Sequence, residues 1–313
     1  MAENKTNLTA TEFIYSHDPT DAMRYFLIFW SLLNFFLSLS GNILVLVSSI
    51  KYHAINLDEV AVILIRYLAV ADLMNSVPKS FTSILGLVLK RWVLGSFMCA
   101  YSRVNCSITA IVSMFLICAL NVNKTMSLKF PLRSRLKTKK QGRIIAVCVW
   151  VFAVISTVLC GVLTKMTFIF RRNIMHCADM AEYQTIKELL YAAYLLIPVV
   201  SIVSTTLWLL RFVQKARGLN VKGSITLLSV SIVFIVSWAP YGVHNCIMSI
   251  SSDNFKRNNA VFLAGFEMIG TYITFVNFSS NPLVYYLSVS SFNKFVTRIV
   301  SKGQVTAHQN SST

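Results

Sequence analysis

The sequence predicts an all-α membrane protein, a seven-transmembrane helix bundle followed by a short amphipathic eighth helix. Three observations carry that expectation. Hydrophobic residues make up 55% of the 313 positions, charged residues only 13%, and mean hydropathy is +0.62, which is more apolar surface than a soluble core can bury. Apolar windows of about 20 residues or more, the length that crosses about 30 Å of hydrocarbon, recur along the chain. Lysine and arginine gather in alternate connections between those windows, as they do in chains threaded through a membrane with one fixed orientation.

The segments follow in order. Residues 1–24 form a polar tail without a small-residue cleavage pattern, so the first apolar helix is expected to act as its own insertion signal. Asn4 and Asn7 begin acceptor sequons for glycosylation, which requires a lumenal or extracellular surface. The bundle occupies residues 25–287, with spans expected at 25–50, 60–87, 97–122, 143–168, 189–214, 224–251 and 260–287. Arg66, Asp72 and Glu267 interrupt the second and seventh. The connection between spans three and four carries Lys124, Lys129, Arg133, Arg135, Lys137, Lys139, Lys140 and Arg143 without an acid, which makes it cytoplasmic. The N-terminus is then outside and the C-terminus inside. Residues 288–313 form the tail, where Phe292–Val300 mixes apolar and basic positions in a pattern suited to a helix lying in the membrane surface.

The net charge of +17 falls mostly on the cytoplasmic face, where it serves topology, attraction to membrane lipids or docking of an acidic protein, and it does not mark a nucleic-acid binder. Of the seven cysteines, most sit inside apolar spans, but Cys99 and Cys177 both fall on the outer, oxidising side and are predicted to be bridged. The five histidines are scattered over both faces without metal-ligand spacing, and no nucleophile stands beside a base, so an enzyme is not expected.

Polar side chains inside the spans need internal partners, water or an ion. Asn42, Asp72, Ser113, Asn277 and Asn281 fall at similar depth in four different spans. Asp72, Ser113, Asn277 and Asn281 offer oxygens of the kind that hold a small hard cation such as sodium. The alternative is a hydrogen-bonded cluster around a protonated Asp72. No cofactor other than such an ion is expected.

At this point the chain resembles the rhodopsin-like (class A) G-protein-coupled receptors. The resemblance rests on Gly41-Asn42, Leu68-Ala69-Val70-Ala71-Asp72-Leu73, Trp92 and Gly95 ahead of Cys99, Trp150, Cys177, Pro198, Phe234 with Ser237-Trp238-Ala239-Pro240, and Asn281-Pro282-Leu283-Val284-Tyr285. It implies a sodium-linked network at Asp72, an outer disulfide between Cys99 and Cys177, and a switch comprising Asn42, Phe234, Trp238, Pro240, Pro282 and Tyr285. It also implies an extracellular ligand, a heterotrimeric G protein, arrestin and a plasma-membrane address.

The departures are equally specific. The inner end of the third helix reads Asn123-Lys124-Thr125 where the family carries Asp-Arg-Tyr, so the expected transducer contact has lost its acid and its planar guanidinium. Thr206 replaces the usual tyrosine partner of Tyr285. Cys106 stands where amine receptors place an aspartate, and Phe275 where opsins place the retinal-bearing lysine. The expected ligand residues are Arg103, Cys106, Trp238, Tyr241, His244, Asn245, Glu267, Thr271 and Tyr272, with Arg103 either clamping an acidic group or pairing with Glu267. An acidic small molecule, a lipid and a short peptide all stay open as ligands. Two rivals stand beside a signalling receptor: a transporter with a mid-membrane ion site, and a receptor-like protein that signals poorly or only through a partner.

Overall fold

The computed structural model describes residues 20–51, 57–134, 136–169, 178–215 and 222–310. The expected sequons at Asn4 and Asn7, and Cys177, lie outside the described residues. Seven long helices build the bundle: α1 (Asp21–Ile50), α2 (Glu59–Leu89), α3 (Gly95–Lys129), α5 (Lys139–Leu163), α6 (Gln184–Lys215), α7 (Lys222–Ile250) and α9 (Ala260–Ser288). Two short helices, α4 (Pro131–Ser134) and α8 (Asp253–Asn258), sit in connections, and α10 (Ser290–Asn310) follows α9. Among the described residues, six of the long helices are apolar and long enough to cross a membrane, and α6 is apolar over Leu196–Phe212.

Helix starts follow from local chemistry. The Thr20 hydroxyl accepts from the Met23 amide, and the Asp58 carboxylate accepts from the Ala61 amide, so α1 and α2 each begin on a side-chain cap. The fourth span differs from the expected 143–168. Its helix ends at Leu163, Lys165 takes a left-handed φ of 46°, and the apolar residues that follow enter an antiparallel hairpin, β1 (Met166–Ile169) with β2 (Ala178–Ala181). Hydropathy alone reads that strand as helix because both are apolar.

Around the bundle α1 packs on α2, α2 on α3 and α5, α3 on α5 and α6, α6 on α7, α7 on α9, and α9 on α1. The common core includes Leu68, Leu116, Leu120, Phe234, Phe278 and Tyr285, all nearly or wholly buried. Large apolar side chains such as Phe36, Ile155 and Val236 are exposed on the outside, where lipid would replace water. Glycines at several positions permit close helix approach, Gly41 and Gly270 most tightly. A Cβ on Gly41 would fall 2.7 Å from Pro282 Cβ, and one on Gly270 would fall 3.0 Å from the Tyr241 amide nitrogen. Prolines 78, 198, 240 and 282 lie inside α2, α6, α7 and α9. Each lacks an N–H and so interrupts the helical ladder.

Candidate ligand cavity, polar core and inner face

The polar cluster expected at mid-bundle is assembled. Asp72 is fully buried; Ser113 donates to its Oδ1 at 3.3 Å and Asn281 Nδ2 donates to its Oδ2 at 2.8 Å, joining α2, α3 and α9. Asn281 thus turns its nitrogen, and not the expected oxygen, toward the carboxylate, because a carboxylate accepts and only the amide N–H can donate. Asn277 is fully buried with neither amide atom partnered by protein. Asn42 serves a different role from the carboxylate partners. Its Nδ2 donates to the Phe278 carbonyl at 3.0 Å and to Ser38, whose own hydroxyl donates to Ser76 at 2.8 Å. Those bonds tie α1 to α9 and α2.

Above the cluster, Phe234 and Trp238 pack along α7 with ring centroids 6.2 Å apart and planes tilted by 34°, and Tyr241 meets Trp238 edge-on at 6.1 Å. Among the described residues, the buried Trp238 Nε1 and both buried His244 ring nitrogens have no partner, while the His244 ring packs on Phe266 of α9 at 6.2 Å. Orphaned donors of this kind mark where water or a ligand completes the bonding. Asn245 is half-buried one residue further out. Tyr272 faces elsewhere: its hydroxyl meets Ser83 at 2.8 Å and its carbonyl accepts from the Trp30 indole at 3.0 Å, which places it against α1 and α2. The Thr271 carbonyl accepts from the Thr274 hydroxyl at 2.6 Å. Arg103 and Glu267 are half-buried and both engaged.

Sequence reasoning passed over Lys79. It sits seven residues from Asp72 on α2, two turns outward on the same stripe, and that spacing was the available signal. Its ammonium donates to Thr274 Oγ1 at 2.9 Å and lies 4.8 Å from the Phe275 ring centroid. Arg66 donates to the Ser49 hydroxyl and carbonyl at the inner end of α1. The guanidinium satisfies a backbone acceptor of α1 there.

At the inner face, Asn123 is buried and holds two partners. Its Nδ2 donates to Asp58 Oδ1 at 2.9 Å, and its Oδ1 accepts from Lys137 Nζ at 2.6 Å; Lys137 also donates to the Ser127 hydroxyl at 3.0 Å. Burial holds the Lys137 ammonium below the ordinary lysine range, with the Asp58 charge acting the other way. Lys124 is half-buried, and the Thr125 hydroxyl is buried without a protein partner. Of the three expected transducer contacts, Lys124 and Thr125 are partly open in this arrangement, and Asn123 is not. The Tyr285 and Thr206 hydroxyls are both buried, with no partner among the described residues.

A family model described as 7 transmembrane receptor (rhodopsin family) matches residues 41–285, from the glycine packed on Pro282 through Tyr285. The chain belongs to the rhodopsin family of seven-transmembrane receptors. It is a class A G-protein-coupled receptor, and this membership sets the transporter reading aside. Among similar proteins, galanin receptor 2b of Danio rerio is 27% identical over 228 residues, 68% of this chain and 58% of that receptor. The type-1 angiotensin II receptors of Pan troglodytes and Homo sapiens are each 21% identical over 296 residues, 89% of this chain and 82% of theirs. The match thus spans under two thirds of the galanin receptor and most of the angiotensin II receptors. Cys99 of this receptor is disulfide-bonded, whereas Cys106, Cys118, Cys148, Cys160 and Cys246 are free.

Proposed function

We propose that this receptor sits in the plasma membrane with its N-terminus outside and its C-terminus in the cytoplasm, takes an extracellular ligand between the outer halves of its helices, and passes the signal to a heterotrimeric G protein and to arrestin. The carrying observation is the Asn281–Asp72 bond beside Pro282, because it joins α9 to α2 at the turn where α9 is broken. Ligand contact near Trp238 favours a state in which the inner end of α7 swings outward about Pro240. Tyr285, whose buried hydroxyl has no protein partner, is free to take a new one in that state. The work is signalling and not catalysis.

Galanin and angiotensin II name the ligands of the similar receptors, which favours a peptide or another ligand bearing comparable groups here. Asp72 and Ser113, with the buried, unpartnered amide of Asn277 one turn from Asn281 on α9, fit a sodium ion, which would supply a fixed positive charge to the buried carboxylate. Expression in cells lacking endogenous G proteins, with each class restored in turn, tests the coupling. Raised nucleotide exchange on at least one class is expected, and a flat response on all of them would refute it. One observation favours a second reading, a receptor that signals only through a partner: Asn123 is tied to Asp58 and Lys137 and so is turned away from a cytoplasmic partner. Arrestin recruitment with no exchange on any class would decide for it.

A further inference from the structure

We propose that Lys79 is an anion subsite, and that a carboxylate of the ligand supplies its missing counter-ion. The inference rests on the ligand-binding reading above and deepens it. An ammonium between membrane helices is costly unless an acid, a carbonyl cage or water compensates it. Among the described residues no carboxylate lies within 4 Å of the Lys79 nitrogen; its one protein hydrogen bond is to Thr274 Oγ1, at 2.9 Å. That hydroxyl already donates to the Thr271 carbonyl at 2.6 Å, so it can only accept from Lys79, and two of the three ammonium protons remain for another acceptor.

The rings of Phe275 and Phe278, with centroids 4.8 and 5.7 Å from the nitrogen, suit a cation but take none of those protons. Arg103 stands within electrostatic reach and adds charge of the same sign. One turn inward on the same helix face, Asn75 is fully buried with neither its Nδ2 nor its Oδ1 partnered by protein. Two cations, an open amide and aromatic walls form a site for a carboxylate attached to an apolar body. The carboxylate comes either from a free organic acid or from the end of a peptide.

The test uses purified receptor in lipid nanodiscs and two probe pairs: benzoate against benzamide, and an N-acetylated aromatic dipeptide as free acid against its amide. At least one acid is expected to raise the thermal midpoint by roughly 2–4 °C beyond its amide. That difference should disappear in Lys79→Met and persist in Lys79→Arg, which keeps the charge. The pair that responds identifies the source of the carboxylate. Acids and amides acting alike on the wild type, or an acid effect of equal size in Lys79→Met, would overturn the assignment. Basal nucleotide exchange, measured on the same preparations, reports separately on the receptor reading.

Discussion

Replacing Gly41 with alanine puts a methyl group where α1 meets the bend of α9. The new carbon would lie 2.7 Å from Pro282 Cβ and 2.8 Å from Cγ, about 1 Å inside the 3.5–4.0 Å separation at which carbon contacts are most favourable. Neither partner is the end of a flexible side chain, because the proline ring is fixed to its backbone. Relief must come from moving one helix away from the other. Overpacking of this kind costs about 1–3 kcal/mol. The same movement stretches the Asn42–Phe278 bond at 3.0 Å, one residue along α1. At about 2–4 °C per kcal/mol, the midpoint in nanodiscs should fall by roughly 2–12 °C. Gly41→Ser should fall at least as far, and Gly161→Ala, where nothing lies within 4 Å of the added carbon, serves as control. A Gly41→Ala midpoint within 1 °C of wild type would refute the close-approach argument.

Two further outcomes follow from the polar groups. Asp72→Asn keeps the shape of the side chain and removes its charge, so replacing choline with sodium should stabilise the wild type by about 1.4 kcal/mol at ten times the ion's Kd and leave the variant unmoved. An equal sodium effect in both would remove the ion from the account. Asn123→Ala takes one side-chain partner each from the Asp58 carboxylate, which keeps the Ala61 amide, and from the Lys137 ammonium, which keeps the Ser127 hydroxyl; it should cost about 1–3 kcal/mol and raise basal nucleotide exchange several-fold by freeing the inner end of α3. Unchanged exchange at matched surface expression would show that this contact does not restrain the resting state.

The fold was legible where one signal dominates. Seven apolar windows and the one-sided distribution of lysine and arginine specify a threaded bundle, since length and charge act on each segment separately. The Asp72 cluster was legible too, because a polar side chain in an apolar span must have company. Legibility failed where apolar character is shared by two structures, as at Met166–Ile169, whose run continues α5 in hydropathy and leaves it in geometry. It also failed where remote residues choose one another. Nothing in the sequence near Asn123 names Asp58 or Lys137, which come from the cap of α2 and the connection after α4. Lys79 lay between these cases: its stripe with Asp72 was readable, its solitude among acids was not.

The contact of Gly41 with Pro282 has a consequence for how this receptor can vary. Removal of both contacting carbons makes room at position 41, so Pro282→Gly should make Gly41→Ala less costly than it is in the native background, and the two changes together should cost less than their sum. The side chain at position 282 and the bareness of α1 at position 41 are therefore energetically coupled. With any Cβ kept in its place at position 282, glycine is the residue that fits position 41 without moving a helix.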